Sequence, residues 1–495
     1  MKLKAVIRDI YSGGPLIISL STATAHKLDL FPGDRVKVSA HGKYVIAVSD
    51  ISEELRKDEI GILAEVNKCL NLNDGELVSI EPTETPQSLT YIRKKLDNKK
   101  LTKDEIFSIV DDIVDNVLTE AEVAYLISAA YINEFSMEET ESLVRAMALS
   151  GEILRWKDKR ILDIHCIGGV PGNRTTPIVV PIIAAAGVII PKTSSRAITS
   201  PSGTADTMEV LTNVEIKDSE QVKRVVNRIS ACLLWGGALN IAPADDKIIR
   251  IEKPLSLDPT AMLLSSIMAK KYAVGSTHVL IDIPLGYYAK VESEARYKEL
   301  KTKFEDLGRR LHMTVKVIKT DAKGPIGKGI GPALEARDVM WILEADERGP
   351  EDLKDKSLML AGTLLEMAQV AEKGKGIKTA KEILHSGKAL RKMKQIIEAQ
   401  GGDSSITSKD IEVGEFSYDF RAEKSGKVTY FRNHGLSISR LAGAPKDKKA
   451  GIYLHKKLGE HVEEGEILFT VYSESKRKLD EAVEYAIDNF PIIIK

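Results

Sequence analysis

The sequence predicts a multidomain α/β protein: a small N-terminal β-barrel, a helical domain, a central, mostly parallel α/β domain and a C-terminal β-rich hairpin domain. Three observations predict it. The first 80 residues contain an internal repeat, three helix-start signals follow, and short β-branched segments alternate with helical segments after residue 160. Because 495 residues exceed the size of one ordinary hydrophobic core, several domains are expected.

The internal repeat predicts a pseudo-symmetric barrel over residues 1–84. The segment AHKLDLFPGDRVKV (25–38) matches VNKCLNLNDGELVSI (66–80) at an offset of 42 residues. Each copy indicates a short helix, a glycine-containing turn and an alternating strand, and two such copies suit a closed barrel.

Three capping boxes predict the helical domain, which we place at residues 89–155. They pair Thr102 with Glu105, Thr119 with Glu122, and Ser136 with Glu139, and apolar residues at helical spacing follow each box. The helical segment 243–273 interrupts the later α/β pattern. We expect it to pack back on this domain and to leave a hinge and a cleft.

The sequence pattern changes from helical to alternating strand and helix in residues 156–420, which we assign to the α/β domain. The segments ILDIHCI, VIIPKTS, HVLIDIPL and TVKVIKT are typical of buried strands separated by helices. Ligands of such sheets bind at the carboxyl ends of the strands. Residues 421–495 alternate like hairpins and form the predicted C-terminal β-rich domain.

Two small-residue loops follow the first two of these strands. They lie in DIHCIGGVPGNRTT (163–176) and KTSSRAITSPSGTAD (192–206). Backbone N–H groups and hydroxyls of such loops bind anions, and Arg196 in the second loop suits phosphate. Two successive loops indicate a substrate with more than one anionic or polar group.

Composition and charge argue against several classes of protein. The net charge of −1 gives no global field that would favour nucleic acid or an anionic membrane. Three distant cysteines without a CxxC pair argue against disulfides and a zinc site, and no metal is expected. No uninterrupted apolar segment reaches the ~18 residues of a membrane helix, and the first residues lack a secretory segment. We expect a cytoplasmic protein.

The order of the motifs GGVPGN, PSGTAD and PLSLDPTAMLLSSIMAKK resembles that of the second class of nucleoside phosphorylases, the family of thymidine phosphorylase. The additional N-terminal barrel and the string SSRAITS are similar to the archaeal AMP phosphorylases of that family. The resemblance implies a pentosyltransferase that uses phosphate to cleave AMP, and also CMP and UMP, into free base and ribose 1,5-bisphosphate. It implies no cofactor, inorganic phosphate as co-substrate, and a homo-oligomer, dimer or larger.

Departures from the family pattern favour a nucleotide substrate over a nucleoside. Ile164 and Cys166 stand where pyrimidine nucleoside phosphorylases have Lys and Ser, and Pro284 replaces a further family Lys. Lys290 replaces the Phe of the family's Ala–Phe pair. The positive charge of this loop thus stands at position 290 instead of position 284. A charge at the new position would suit a substrate with an additional 5′-phosphate.

The resemblance also implies individual roles. Asp258 would protonate the departing base, although Asp-Pro is by itself a helix-start signal. Ser266 and Lys270, one helical turn apart, would contact the base, although a solvated polar face is the alternative. The second loop would bind the nucleotide, although Ser and Thr also favour helix caps. The implied substrate-binding residues are Gly169, Ser195, Arg196, Ala197, Ile198, Thr199, Ser200, Thr204, Ser266, Lys270 and Lys290.

Several alternatives stay open. The roles of His165 and Arg250 are undecided. A thymidine or uridine phosphorylase, a phosphoribosyltransferase of the anthranilate type and a non-catalytic nucleotide-binding scaffold are the competing functions.

Overall fold

The computed structural model describes residues 1–157, 160–197, 200–252, 254, 257–287, 289–432 and 434–495. Its backbone contacts divide the chain into two compact units. The first unit comprises Met1–Gly151 with Ala242–Ala269, and the second comprises Glu152–Ile241 with Lys270–Lys495.

The first 151 residues contain six strands and six helices. In chain order they are β1 (Lys2–Ile7), β2 (Ile17–Leu20), α1 (Thr22–Leu28), β3 (Arg35–Ala40), β4 (Lys43–Ile51), β5 (Glu59–Ile62), α2 (Ala64–Leu70), β6 (Leu77–Pro82), α3 (Ser88–Leu96), α4 (Lys103–Val114), α5 (Glu120–Ile132) and α6 (Met137–Leu149).

One or two helices separate successive strands in the next part of the chain. They are β7 (Leu162–Cys166), α7 (Thr176–Ala185), β8 (Ile190–Ser194), α8 (Thr204–Glu209), α9 (Ser219–Ile229), β9 (Ala231–Trp235), α10 (Pro243–Glu252), α11 (Thr260–Ala273), β10 (His278–Leu285), α12 (Glu294–Arg310) and β11 (Thr314–Asp321).

The remaining elements are helices followed by a mixed C-terminal region. They are β12 (Gly329–Ile330), α13 (Pro332–Leu343), α14 (Glu351–Met367), α15 (Gly376–His385), α16 (Lys388–Ala399), β13 (Phe416–Arg421), β14 (Gly426–Phe431), α17 (His434–Leu441), β15 (Gly451–Leu454), β16 (His461–Val462), β17 (Ile467–Ser473), α18 (Lys476–Asp488) and β18 (Ile492–Ile494).

The N-terminal strands close into the predicted barrel, in the order β1-β5-β2-β4-β3-β6. In the two copies of the repeat, α1 and β3 of the first correspond in sequence position to α2 and β6 of the second. Alternation explains the strands, because Val36 and Val38 of β3 and Val78 and Ile80 of β6 point into the barrel core with no exposed surface.

All three predicted capping boxes are present, at the starts of α4, α5 and α6. In each, the Ser or Thr side chain accepts the N3 backbone N–H and the Glu side chain accepts the N-cap N–H. Helix α10 packs against these three helices within the first unit. Lys247 of α10 donates from Nζ to the carbonyl oxygens of Ile113 and Val114, which satisfies the last carbonyls of α4.

The second unit contains the predicted parallel sheet. Strands pair in the order β11-β10-β7, and β8 pairs with β9 in parallel. A single parallel bridge, Ile161 to Ile189, joins the two groups. Beyond it, the described residues of β7 and β8 form no ladder, so the two strands separate towards their carboxyl ends.

The C-terminal region is β-rich, as expected, and also contains two helices that the sequence reading did not predict. Two sheets, β12-β15-β17-β13 and β16-β14-β18, enclose an aromatic core. In that core the ring of Phe420 stacks on Phe469 at 4.6 Å between centroids. Helix α18 begins after Ser475, whose side chain accepts the N–H of Lys478, and packs against α17 and β17.

Among the described residues, no helix is both long enough and apolar enough to cross a lipid bilayer.

A buried ion pair in the helical domain gives a stability prediction. Lys95 Nζ lies 3.1 Å from Glu139 Oε1, and the two side chains are 3% and 2% exposed. Glu139→Gln keeps a capping residue but leaves a buried ammonium unpaired, and we expect a loss of about 3–5 kcal/mol in the free energy of unfolding. Urea denaturation of the full chain measures it.

The matched control is Glu105→Gln, at the same position of another capping box. Its partner Lys94 is 31% exposed, so the expected cost stays below about 1 kcal/mol. Equal losses in the free energy of unfolding of the two variants would show that the burial of Glu139 does not increase the cost.

Candidate active site

The first loop approaches the loop after β10 more closely than any side chain would permit. Gly169 has φ of +100°, and a Cβ there would lie 2.7 Å from Ala289 Cα and 2.7 Å from Lys290 N. Only glycine fits such a position. The structure therefore brings two predicted site residues together, Gly169 and the exposed Lys290.

The second loop is held in shape by one buried carboxylate. Asp206 of α8 accepts the N–H of Ala197 at 2.7 Å and the N–H of Gly203 at 2.9 Å, which ties both ends of the loop together. Ser195 and Ala197 lie at the first end, and Thr204 begins α8 at the second. Ser200 donates from Oγ to the carbonyl oxygen of Ser202 at 2.9 Å. The predicted site residues Ile198 and Thr199 lie outside the described residues.

Arg174 joins the two loops. It follows the GGVPGN segment and donates from Nη2 to the carbonyl oxygen of Ser202 in the second loop. Its Nε donates to Glu335 of α13, which is 1% exposed and also accepts from Thr207 Oγ1 at 2.8 Å. These hydrogen bonds connect the described residues of the two loops to each other and to α13.

Arg196 is engaged by carboxylates in this structure. Its Nη2 lies 2.6 Å from Glu209 and 2.7 Å from Glu215, and its guanidinium stacks over Trp235 at 4.9 Å. The hydrogen bond from Arg196, more than the charge of Lys448, lowers the pKa of Glu209 to about 2. For its guanidinium to bind a phosphate, Arg196 would have to exchange one of these partners.

A cluster of two lysines and one aspartate fills the gap between the separating strands. Lys271 Nζ of α11 lies 2.9 Å from Asp163 Oδ2, and Lys192 Nζ of β8 lies 3.7 Å from Asp163 Oδ1. Asp163 is 0%, Lys271 2% and Lys192 4% exposed. Burial and the charge of Lys271 lower the pKa of Lys192 to about 7.

His165 lies on the same strand face as Asp163, two residues towards the carboxyl end of β7. Burial first, and then the positive charges of Lys271, Lys192, Lys270 and Lys290, hold the pKa of His165 well below its usual range. The imidazole is therefore neutral near pH 7, so one ring nitrogen can donate a hydrogen bond and the other can accept one.

A second group of polar side chains lies next to it, around the partly buried Cys166. Burial, together with the charge of Asp282, raises the pKa of the Cys166 thiol to about 12, so the thiol stays protonated. Asn173 donates from Nδ2 to Cys166 Sγ, and Lys356 pairs with Asp282 at 2.9 Å. In this group one lysine pairs with one carboxylate, whereas Asp163 pairs with two lysines.

The remaining predicted residues lie on or near α11. Ser266 and Lys270 are one turn apart on that helix, and both are partly buried. Asp258 precedes Pro259 and the helix start, and it is exposed. Arg250, whose role the sequence left open, pairs with Glu120 at 2.8 Å and donates to Gly13 O within the first unit.

A cleft of about 890 Å³ opens elsewhere in the second unit, at the carboxyl end of β11. Its wall carries charges of both signs, including Lys319, Lys323, Glu347 and Asp355. The described wall residues include none of the predicted site residues, so this cleft is not the site that the sequence indicates. Among the described residues, no three His, Cys, Asp or Glu side chains are grouped as metal ligands would be.

Comparison with known proteins assigns the chain. Family models match for a glycosyl transferase helical bundle domain at residues 89–151, a glycosyl transferase a/b domain at 158–390 and a pyrimidine nucleoside phosphorylase C-terminal domain at 437–493. An AMP phosphorylase of Pyrococcus furiosus is 49% identical over 100% of this chain and 98% of its own. The chain belongs to the AMP phosphorylase family.

Other AMP phosphorylases are similarly close. That of Methanocaldococcus jannaschii is 47% identical over 94% of this chain and 92% of its own, and that of Thermofilum pendens is 46% identical over 100% and 95%. The expected family is confirmed, and so are the multidomain α/β fold class and the glycosyltransferase type of enzyme.

Solved structures agree on the fold. Anthranilate phosphoribosyltransferase from Thermus thermophilus has a TM-score of 0.52 at 19% identity and covers 62% of this chain and 98% of its own. The enzyme from Saccharomyces cerevisiae has a TM-score of 0.51 at 18% identity, covering 65% and 99%. At such identity the likeness extends to the fold alone.

The sequence analysis did not single out four buried charged residues of the second unit: Asp163, Lys192, Asp206 and Lys271. One signal was visible for Lys192, a lysine inside the apolar strand segment VIIPKTS. A charged residue there needs a buried partner, and the partner cannot be read from the sequence.

The close approach at Gly169 gives a prediction. In Gly169→Ala the new methyl must displace the backbone at residues 289–290, and we expect the KM for AMP to rise at least about tenfold through loss of ~1.4 kcal/mol of binding. Steady-state kinetics with AMP measures this change.

Gly168→Ala is the matched control. Gly168 has φ of +95°, so alanine meets the same backbone strain, but nothing lies within 4 Å of its added Cβ. Similar KM values in the two variants would show that the contact with the Lys290 loop is unimportant for the nucleotide.

Proposed function

We propose that this protein catalyses the reversible phosphorolysis of AMP, and also of CMP and UMP, in nucleotide salvage. An oxygen of inorganic phosphate bonds to C1′ while the glycosidic bond to the base breaks. The base leaves with a proton, and the sugar product is ribose 1,5-bisphosphate. Support comes from the full-length similarity to curated AMP phosphorylases.

The observation that carries this proposal is the contact between Gly169 and the Lys290 backbone. It sets a lysine beside the loop that is expected to hold phosphate groups, in a position where the resemblance gives nucleoside phosphorylases a Phe. A cation at this place would anchor the 5′-phosphate of a nucleotide, and binding energy from that remote group orients the sugar for attack.

The other predicted site residues would bind the phosphate oxygens and the base. The backbone of the two preorganised loops, from Gly169 and from Ser195 to Thr204, would hold phosphate oxygens with N–H donors. Ser266 and Lys270, on one face of α11, would contact the base. Two such polar groups could serve adenine, cytosine and uracil alike, which is the basis for including CMP and UMP.

Asp258 would act as the general acid. Loss of a base from C1′ passes through an oxocarbenium-like transition state, and protonation of the leaving group lowers its energy. Because Asp258 is exposed in this structure, the bound nucleotide would have to shield it from water.

Asp258→Asn removes the donated proton without changing the side-chain size. We expect kcat with AMP to fall by ~10²–10⁴, with a much smaller change in KM. Rapid-quench measurement of adenine release checks this. An unchanged kcat would assign the proton to another donor.

Three rival functions make different predictions. A pyrimidine nucleoside phosphorylase would act on thymidine or uridine without a 5′-phosphate, and Ile164 and Cys166 disfavour it. A phosphoribosyltransferase of the anthranilate type would use a pyrophosphate leaving group with Mg²⁺. A scaffold would bind AMP and release no base.

The deciding experiment incubates the full chain with AMP, CMP, UMP, adenosine or thymidine, with and without phosphate and with and without EDTA. Chromatography identifies the base, and mass spectrometry identifies the sugar. The proposal expects phosphate-dependent, EDTA-resistant release of adenine from AMP. Equal rates for AMP and adenosine would overturn it.

Lys290→Gln tests the anchor for the 5′-phosphate. The loss of one charge-assisted hydrogen bond, ~1.5–3 kcal/mol, should raise the KM for AMP by roughly ten- to a hundredfold. Adenosine, which lacks the phosphate, should be affected much less. Lys298→Gln on α12, another exposed lysine, is the control. A loss shared equally by AMP and adenosine would assign Lys290 another role.

We also propose a cytoplasmic homo-oligomer, a dimer or larger, assembled through the terminal β-rich domains. The barrel supports this because Tyr11, Phe31 and Tyr44 are exposed on its surface. Light scattering of the full chain should give a mass of at least two chains, and a monomer would contradict the proposal.

A further inference from the structure

One buried carboxylate of α13 connects that helix to two other segments of the second unit. Glu335 is 1% exposed, and its Oε2 accepts from Arg174 Nε in the first loop and from Thr207 Oγ1 of α8, the latter at 2.8 Å. Its Oε1 accepts the N–H of Gly331, at the start of α13, at 3.4 Å. All three partners donate, which matches the acceptor-only chemistry of a carboxylate.

The contacts of Glu335 close into a ring of hydrogen bonds, which we call the Glu335 ring. Arg174 donates from Nη2 to the carbonyl oxygen of Ser202 in the second loop. The hydroxyl of Ser202 lies 3.0 Å from that of Thr207, which donates to Glu335. Ser202 is 1% and Thr207 0% exposed, so these bonds form away from water. The ring joins the first loop, the second loop, α8 and α13.

All three nitrogen atoms of the Arg174 guanidinium donate to protein oxygens. Besides the bonds of Nε and Nη2, Nη1 donates to the carbonyl oxygen of Asn173 at 3.3 Å. The planar group fixes the angles between these bonds, and the single nitrogen of a lysine cannot reproduce them. Arg174 is therefore bonded to α13 and to both loops at once.

The ring supplies a geometry that apolar packing could not supply. Desolvation offsets much of the attraction within a buried ion pair, so apolar residues of similar volume often give equal stability. Apolar side chains in place of Arg174 and Glu335 would leave the carbonyl oxygen of Ser202 without this donor. What the pair adds is the position of the second loop relative to the first.

The carbonyl group that Arg174 binds also orients a predicted nucleotide contact. Ser200 donates from Oγ to the same oxygen of Ser202, at 2.9 Å. Thr204, another predicted contact, follows two residues later and begins α8. A displacement of Ser202 would therefore change the direction of the Ser200 hydroxyl and the start of α8 together.

We propose that Glu335 and Arg174 are positioning residues of the nucleotide site. Glu335 orients the guanidinium, and Arg174 holds the second loop at Ser202 in the arrangement that binds the nucleotide. This inference rests on the proposed function, because that function places AMP against Ser200 and Thr204. Loss of either positioning residue should weaken the binding of AMP more than the bond-breaking step, since a loosened loop has to be ordered again when the nucleotide binds.

The test compares the kinetics of Glu335→Gln, Arg174→Lys and the double variant with those of the parent chain, at a temperature below the unfolding midpoint of each. In Glu335→Gln the amide NH₂ group faces a donor, and Arg174→Lys keeps the charge but loses the planar group. For each single variant we expect the KM for AMP to rise about tenfold and kcat to change less than about threefold. Because both residues act through one ring, the double variant should be no worse than either. Arg174→Lys keeps the test valid should Glu335→Gln fail to fold.

Glu344→Gln is the matched control. Glu344 is the C-cap residue of the same helix and, like Glu335, accepts from a hydroxyl and a backbone N–H, both of Ser408. Neither partner lies in the two loops. The control should keep the KM of the parent chain even where it loses stability. An equal rise of KM in Glu344→Gln would overturn the positioning role.

Amide hydrogen exchange, read by mass spectrometry on peptides from residues 200–207, needs no turnover. We expect faster exchange there in Glu335→Gln and Arg174→Lys, and unchanged exchange in Glu344→Gln. Unchanged exchange in the first two variants, or an unchanged KM in both, overturns the inference. A parent chain that releases no adenine from AMP overturns the proposed function alone, and the affinity for AMP from isothermal titration then replaces KM in the test of Glu335.

Discussion

The separation of β7 and β8 after a single backbone bridge is the constraint on which the candidate site depends. In paired strands, successive side chains project to opposite faces of the sheet. Because these two part beyond Ile161 and Ile189, Asp163 and Lys192 face each other inside the sheet. Lys271 reaches the same carboxylate from α11. The result is a buried region with one negative and two potentially positive groups, within the two strands whose carboxyl ends lead into the two loops.

Hydrogen bonds hold the described residues of the two loops that follow these strands. Asp206 fixes both ends of the second loop through backbone N–H groups, and Arg174 connects the first loop to the second. Gly169 permits backbone contact with the loop of Lys290. Preorganised donors of this kind stabilise an anion without having to reorganise when it arrives. The guanidinium of Arg196 is already paired with Glu209 and Glu215.

Local features were predictable from the sequence, and spatial ones were not. The capping boxes involve residues three apart, and the barrel repeat recurs at a fixed offset, so both could be read directly. Helix α18 was missed because its Ser475 start lacks the Glu of a capping box and strands flank it on both sides. The pairing of Asp163 with Lys192 depends on how far two strands diverge. The capture of Arg196 by Glu209 and Glu215 depends on how one loop folds back. Neither follows from spacing along the chain.

In the proposed reaction, phosphate rather than water attacks C1′ of the nucleotide. The most direct measurement is to incubate the full chain with AMP and ¹⁸O-labelled inorganic phosphate and to analyse the sugar product by mass spectrometry. We expect ribose 1,5-bisphosphate in which the phosphate at C1, including the oxygen bonded to C1, carries the label. Ribose 5-phosphate with an unlabelled oxygen from water at C1 would contradict it.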